Sequence, residues 1–345
     1  MGAIAGDDPR TVAALGEFGL IRALSGWLPR EKRALVGIGD DAAVLAAPDG
    51  RVVATTDFLL EGRHFRRDWS SARDIGHKAA ARSLADVAAM GAVPTALLVA
   101  LAMPGDLPVA WARDLAAGLA AECARTGASV AGGDTARASS VLLAVTGLGD
   151  LAGRAPVLRS GAAPGDVVAV AGPLGSSAAG QALLSAGLTE GPLVAAHRRP
   201  APPYDAGPQA ADLGATAMID VSDGLLADLG HIADASGVLI DVSAGALRPP
   251  APLLEAARAV TREDLSSRTA FGAPPEPPDS AREQALAWVL TGGEDHALAA
   301  TFPPGVALPA RWTVIGEVRQ GKGVLVDGEA WAGAAGWDHF TGGGG

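Results

Sequence analysis

Two hydrophobic periods alternate along the chain. From residue 71 to 90, Ile75, Ala79, Arg82, Asp86 and Met90 follow at steps of four, three, four and four. That is a single stripe of an α-helix, and Gly91 stands where a left-handed cap ends it. Residues 225–235 repeat the pattern, with Leu225, Leu226, Leu229 and Ile232 on one face and Gly237 as the cap. Further helices are predicted over 11–24 and over 110–125, and another opens with GPLGSSAAG at 172–180. Short apolar runs at 52–56, 96–103, 129–130, 141–147, 167–171, 217–221 and 288–290 read as strands bounded by turn residues.

Helices alternating with short buried strands predict an α/β or α+β fold. Gly, Pro and Arg gather at 151–164 before a fresh strand, which divides the chain into domains 1–152 and 153–345. Residues 266–280 carry Pro274, Pro275, Pro277 and Pro278 and read as a surface loop.

With 345 residues and 49% hydrophobic content, each domain can bury its own core. The net charge of −11 without a block of Lys or Arg argues against nucleic acid as a partner. Cys123 is the sole cysteine, which excludes an intrachain disulfide and a CxxC metal site, and its apolar setting reads as a buried structural thiol. The longest apolar run, 96–103, is bounded by Pro94 and Pro104 and is too short to span a bilayer. With no signal-peptide pattern at the start, a soluble cytoplasmic protein with no membrane partner is expected.

The chemistry lies in acids set among glycines and threonines. Asp40 and Asp41 stand in GIGDDAAVL, Asp57 in ATTDFLLEGRHF, Asp86 in SLADVAAMGA, Asp134 in GGDT, and Asp220 and Asp223 in IDVSDG. A turn or a helix cap accounts for any one of them. The set is harder to explain that way, because Asp86 lies on an apolar helix stripe and Asp57 and Asp220 close apolar strands. Buried carboxylates cost several kcal/mol each unless cations offset them. Mg²⁺ prefers a carboxylate or two with water and substrate phosphates, so the pattern points to a nucleoside triphosphate held through several Mg²⁺ ions. Thr55 and Thr56 beside Asp57 add hydroxyl or main-chain oxygens.

Other motifs fail on chemistry. GIGDDA at 37–42 fits the letters of a dinucleotide fingerprint, but its two carboxylates stand where bare pyrophosphate must meet amides. GEVRQGKG at 316–323 keeps P-loop spacing to Lys322 and then offers Gly323 in place of Ser or Thr; it reads as a β-hairpin turn. IDVSDG lacks calcium-loop spacing, and the six histidines lack zinc spacing. GGED at 292–295 places Glu294 either against a ligand or in a charged turn. Trp337 in WDHF either seals a core edge or stacks on a substrate.

Taken in order, GEFGLI, GIGDDAAVL, TTDFLLEGRHF, KAAARSLADVAAMGAVP, GGDT, GRAPVLRSGAAPGD, IDVSDGLLADLGHIA, LTGGED and WDHF resemble the thiamine-monophosphate kinase family. That family belongs to the aminoimidazole-ribonucleotide-synthase-like ATP-binding superfamily. The resemblance runs from about residue 16 to 340. It implies ATP-dependent phosphorylation of thiamine monophosphate to thiamine diphosphate. It also implies a homodimer whose N-terminal mixed sheets form the interface, with a C-terminal α/β sandwich domain. Position by position it implies Asp41, Thr55, Thr56, Asp57, Asp86, Asp134, Asp220 and Asp223 as Mg²⁺ ligands. Gly133, Asp134, Arg159 and Ser222 correspond to ATP contacts, and His64, Glu294 and Trp337 to contacts with the acceptor. No residue is implied as a general base. Sister purine cyclo-ligases, selenophosphate-type synthetases and a non-catalytic sensor are the competing readings.

Overall fold

The computed structural model describes residues 10–29, 34–36, 42–268, 280–333 and 335–336. It resolves the chain into two compact units, Met1–Ala155 and Pro156–Gly345. Among the described residues no helix is long and apolar enough to cross a membrane.

The first unit begins with α1 (Val12–Leu15) and α2 (Glu17–Trp27). The single helix expected over 11–24 is broken at Gly16, whose φ of 71° no helix accommodates. A small ribbon of β1 (Ala34–Val36) and β2 (Val44–Leu45) follows. The main sheet contains β3 (Val53–Leu60), β4 (Val93–Met103), β5 (Ser129–Arg137) and β6 (Leu142–Asp150), in the order β3-β6-β4-β5. Strands β3 and β4 run antiparallel to β6, while β5 runs parallel to β4.

Helices α3 (Ala72–Ala89) and α4 (Val109–Ala124) connect these strands. A capping box starts α3: Ser71 N–H donates to Asp74 Oδ2 at 3.0 Å and Asp74 N–H to Ser71 Oγ at 3.2 Å. Gly91, at φ 75°, follows its end as expected. Two glycines of β6 let α3 settle on the sheet. A Cβ at Gly147 would lie 2.8 Å from the Ser83 carbonyl oxygen, and one at Gly149 only 2.2 Å from Val87 Cγ1. The α3–α4 seam is equally close, with Gly76 against the Leu115 carbonyl and Gly118 against that of Arg73, each at 2.1 Å for a Cβ. Along β3 the pleat alternates. Thr55, Asp57 and Leu59 are half-buried or buried, whereas Ala54, Thr56 and Phe58 are exposed, Phe58 by 57%.

The second unit holds β7 (Val167–Ala171), α5 (Ser176–Ser185), α6 (Pro192–Arg198), α7 (Ala206–Asp212), β8 (Ala217–Val221), α8 (Leu225–Ser236) and β9 (Leu239–Val242). It continues with α9 (Ala251–Arg268), α10 (Ser280–Thr291), β10 (Ala297–Phe302), β11 (Trp312–Arg319) and β12 (Gly323–Val326). The sheet order is β12-β9-β11-β7-β10-β8, antiparallel throughout except between β12 and β9. Every residue of β8 and β10 is buried, so both faces of the sheet are covered there, whereas β11 exposes Thr313, Val314, Glu317 and Arg319.

Two expectations are corrected here. Residues 288–290 are the last turn of α10, because Trp288 extends the buried stripe of Ala281 and Ala285 at helical steps of four and three. Segment 316–323 does join two strands, but β9 lies between them and pairs with both, so it is no hairpin. The proline-rich loop falls largely on residues 269–279, outside the described residues; 266–268 end α9 and Ser280 starts α10.

Candidate active site

In the first unit the pleat of β3 and the stripe of α3 bring Thr55, Asp57 and Asp86 to one side of the sheet. Thr55 Oγ1 donates to Asp86 Oδ2 at 2.7 Å. Ser83 Oγ lies 3.0 Å from both Asp57 Oδ2 and the Val145 carbonyl, and the Arg82 guanidinium stands 3.8 Å from Asp57 Oδ1. Ser83 and Arg82 are supports that the sequence reading did not assign. The close approach permitted by Gly147 is what brings them to β3. Thr56 points to the opposite, exposed face, where its hydroxyl meets that of Thr146 at 3.2 Å. Its hydroxyl therefore lies on the face away from Asp57.

Gly133 sits against β4 so tightly that a Cβ would fall 1.9 Å from the Val99 carbonyl oxygen. The next residue, Asp134, is exposed and faces Ala100 in the parallel register. His64 is half-buried, and its Nδ1 accepts the Leu60 N–H at 2.9 Å, so a neutral ring carries its proton on Nε2. Lys78 Nζ holds the His64 carbonyl at 3.1 Å.

In the second unit β8 delivers Asp220 and the turn that follows it delivers Ser222 and Asp223. The amides of Ser222, Asp223 and Gly224 all donate to Asp228 Oδ2, at 3.0, 3.1 and 3.1 Å. Burial, and then the charges of Asp220 and Asp223, push the Asp228 carboxyl up to about 8 against the pull of those amides. Asp228 was also unassigned. Its position three residues after Leu225 and four before Ile232 places it on the apolar stripe, which is the same signal that marked Asp86.

The glycines of GGED allow a second loop to close on this turn. A Cβ at Gly293 would lie 2.4 Å from the Ser222 carbonyl, and one at Gly224 would lie 2.6 Å from that of Thr291. Glu294 N–H donates to Ser222 O at 2.8 Å and His296 N–H to Val221 O at 2.9 Å. Both residues take left-handed backbones, at φ 66° and 53°. Between them, Asp295 plugs the start of α5 by accepting the Gly175 and Ser177 amides at 2.5 and 2.8 Å. Burial pushes Asp295 up to about 7. His296 Nδ1 lies 3.0 Å from Asp220 Oδ2, with both side chains buried.

The structure does not bring Arg159 beside Ser222. Its carbonyl is held by Ser236 Oγ at 3.1 Å, at the far end of α8, roughly 16 Å along the helix. Asp40, Asp41 and Trp337 lie outside the described residues, although Gly336 packs on the turn, with a Cβ reaching 2.5 Å from the Asp223 carbonyl.

These oxygens suit Mg²⁺. Among the described residues no three His, Cys, Asp or Glu side chains gather closely enough to cage an ion, and Mg²⁺ needs no such cage when water and phosphate complete its shell. The repulsion that Asp220 and Asp223 exert on Asp228 is negative charge that a cation relieves.

Residues 39–151 match the AIR synthase related protein, N-terminal domain family. A thiamine-monophosphate kinase of Mycobacterium tuberculosis is 48% identical over 332 residues, covering 96% of this chain and 93% of its own length. The crystal structure of thiamine-monophosphate kinase from Stenotrophomonas maltophilia K279a superposes with a TM-score of 0.71 at 33% identity, covering 90% of this chain and 95% of its own. AaThiL complexed with AMPPCP and TMP gives the same TM-score at 32% identity, over 95% and 98% of the two chains. An identity this high over nearly the whole length of both chains leaves one conclusion: the chain belongs to the thiamine-monophosphate kinase family.

Proposed function

We propose that this chain transfers the γ-phosphoryl group of ATP to thiamine monophosphate, releasing ADP and thiamine diphosphate. The observation that carries the reading is the 48% identity along 96% of the chain to a thiamine-monophosphate kinase. The AaThiL complex with AMPPCP and TMP supports the pairing of a nucleotide with a phosphate acceptor.

In the step itself an acceptor phosphate oxygen bonds to the γ-phosphorus while the bond to the β,γ-bridging oxygen breaks. A phosphate monoester has its second pKa at about 6. The attacking oxygen is therefore already ionised near neutrality, and no side chain has to remove a proton. Several Mg²⁺ ions, when bound, supply the charge neutralisation that lets two anions approach in line. Asp41, Thr55, Thr56, Asp57, Asp86, Asp134, Asp220 and Asp223 are the residues that would hold them.

Gly133, Asp134 and Ser222 contact the nucleotide, Gly133 through main chain alone, while Arg159, carried on a segment held at the far end of α8, is left out of the set. His64, Glu294 and Trp337 hold the acceptor. The indole face of Trp337 against the cationic thiazolium contributes roughly 0.5–2 kcal/mol. The exposed face of the first sheet, with Phe58 on the edge strand β3 and Ala54, Ala100 and Ala144 on the same face, supports a homodimer built on domain 1–152. We place the protein in the cytoplasm.

The test is an endpoint assay with ATP, Mg²⁺ and thiamine monophosphate, its products separated by chromatography. Thiamine diphosphate formed from the monophosphate, absent with free thiamine and lost with EDTA, is the expected result. ATP binding without product overturns the acceptor assignment.

A further inference from the structure

Three successive amides at the start of a long helix are an arrangement that binds phosphate. In this protein that nest is already filled. The Ser222, Asp223 and Gly224 N–H groups converge on Oδ2 of Asp228, which belongs to the first turn of the same helix and is 2% exposed. The turn is gripped from outside as well, because Glu294 N–H donates to Ser222 O and Gly293 admits no Cβ there. On its other flank Ala227 N–H donates to Ala335 O at 3.2 Å.

We propose that Asp228 is a positioning residue for the nucleotide and its cation. It touches neither. It fixes the turn so that the half-buried Ser222 and Asp223 side chains keep one geometry. Because it consumes the three amides, the turn meets a polyphosphate through side-chain oxygens and their cation, not through N–H groups. This rests on the reading of the protein as an ATP-using kinase, and it names the group behind the ligand that such a reading requires.

Two variants of the full-length chain decide it. Asp228→Ala removes the acceptor, and Asp228→Asn keeps an oxygen and the volume. Binding of Mg²⁺·AMPPCP is measured by calorimetry, amide exchange by mass spectrometry, and KM separately for MgATP and thiamine monophosphate. Asp228→Ala is expected to weaken Mg²⁺·AMPPCP roughly 10–100-fold, with Asp228→Asn intermediate. Exchange should accelerate at 222–224 while β7 and β10 stay protected, and KM for thiamine monophosphate should not move.

Unchanged Mg²⁺·AMPPCP affinity in Asp228→Ala overturns the proposal. So does an equal loss on both substrates with faster exchange throughout the unit, which is the mark of a purely structural acid. If Asp228→Ala does not fold, wild-type affinity in Asp228→Asn, with exchange at 222–224 unaltered, overturns it instead. A wild-type chain that binds Mg²⁺·AMPPCP but leaves thiamine monophosphate untouched removes only the acceptor assignment, and calorimetry still decides Asp228. A wild-type chain that does not bind Mg²⁺·AMPPCP removes both.

Discussion

Thr55 on β3 donates its hydroxyl hydrogen to Asp86 on α3 at 2.7 Å. The bond locks strand to helix at the place where each carries a proposed Mg²⁺ ligand, so the orientation of the Asp86 carboxylate depends on a neighbour in another element. Thr55→Val keeps the shape and deletes the donor. The expected outcome is a roughly 10-fold rise in the Mg²⁺ concentration that half-saturates turnover, with about 1 kcal/mol lost from stability. A magnesium titration of initial rates checks it, and an unshifted midpoint removes Thr55 from the set.

Asp57→Asn retains an oxygen for Ser83 and removes the charge, and Asp134→Ala truncates an exposed side chain. Neither change opens a cavity. Turnover in each is expected to fall by more than about 100-fold, beyond what losing a residue behind a ligand causes. Melting temperature in EDTA should stay within a few degrees of wild type. Wild-type-like rates in either variant would falsify the metal-ligand assignment for that residue.

The parts of this fold that were legible in the sequence are those fixed by local chemistry. Strands β7 and β8 and helices α3 and α8 sit where apolar runs, stripes and caps place them, because Ser71, Gly91 and Gly237 act within a few residues of themselves. What escaped depends on residues far apart in the chain. Trp288–Val289–Leu290 is an apolar triplet that fits a strand or a helix equally well, and only the stripe back to Ala281 decides. The insertion of β9 between β11 and β12 is a pairing no window of sequence contains. The aspartates were found because carboxylates on apolar stripes are costly. Asp295 stayed hidden because its partners, Gly175 and Ser177, lie more than a hundred residues away.

The α3–α4 seam provides a stability test independent of any ligand. A Cβ at Gly76 would meet the Leu115 carbonyl oxygen at 2.1 Å, and both partners are backbone in rigid helices. Gly76→Ala is expected to destabilise the protein by about 1–3 kcal/mol or more through overpacking. Gly26 lies in α2 with nothing within 4 Å of its Cβ position. There, Gly26→Ala should be neutral or stabilising by up to about 1 kcal/mol. Urea unfolding of the pair separates packing from helix propensity, and similar effects at both positions contradict the seam.

Asp295 gives stability a dependence on pH. Its folded value of about 7 lies above the ordinary 3.8, so between those values the native state binds more protons than the unfolded chain. Stability from this group is therefore fully present below about 4 and declines as pH rises to about 7, by about 1.4 kcal/mol per pH unit. Above that it is flat. Asp295→Asn, which cannot titrate, is expected to lack this component. The difference in unfolding free energy between wild type and variant should slope from pH 4 to 7 and level off above; a difference that is constant with pH overturns the assignment.

Glu294 is held by its own backbone more firmly than an ordinary loop residue. It sits at φ 66° with its amide on Ser222 O, and the neighbouring Asp295 is anchored into α5. A non-glycine residue in that conformation costs about 1–3 kcal/mol, which the flanking hydrogen bonds offset, so the side chain is presented in one place. Glu294→Gln preserves size and backbone and removes the charge that the proposed function sets against a cationic acceptor. The expectation is a several-fold rise in KM for thiamine monophosphate with KM for ATP unchanged, and the same split for Trp337→Ala. Both KM values moving together would assign these residues to the turn that carries Ser222, and an unchanged pair of constants would leave them outside the acceptor site altogether.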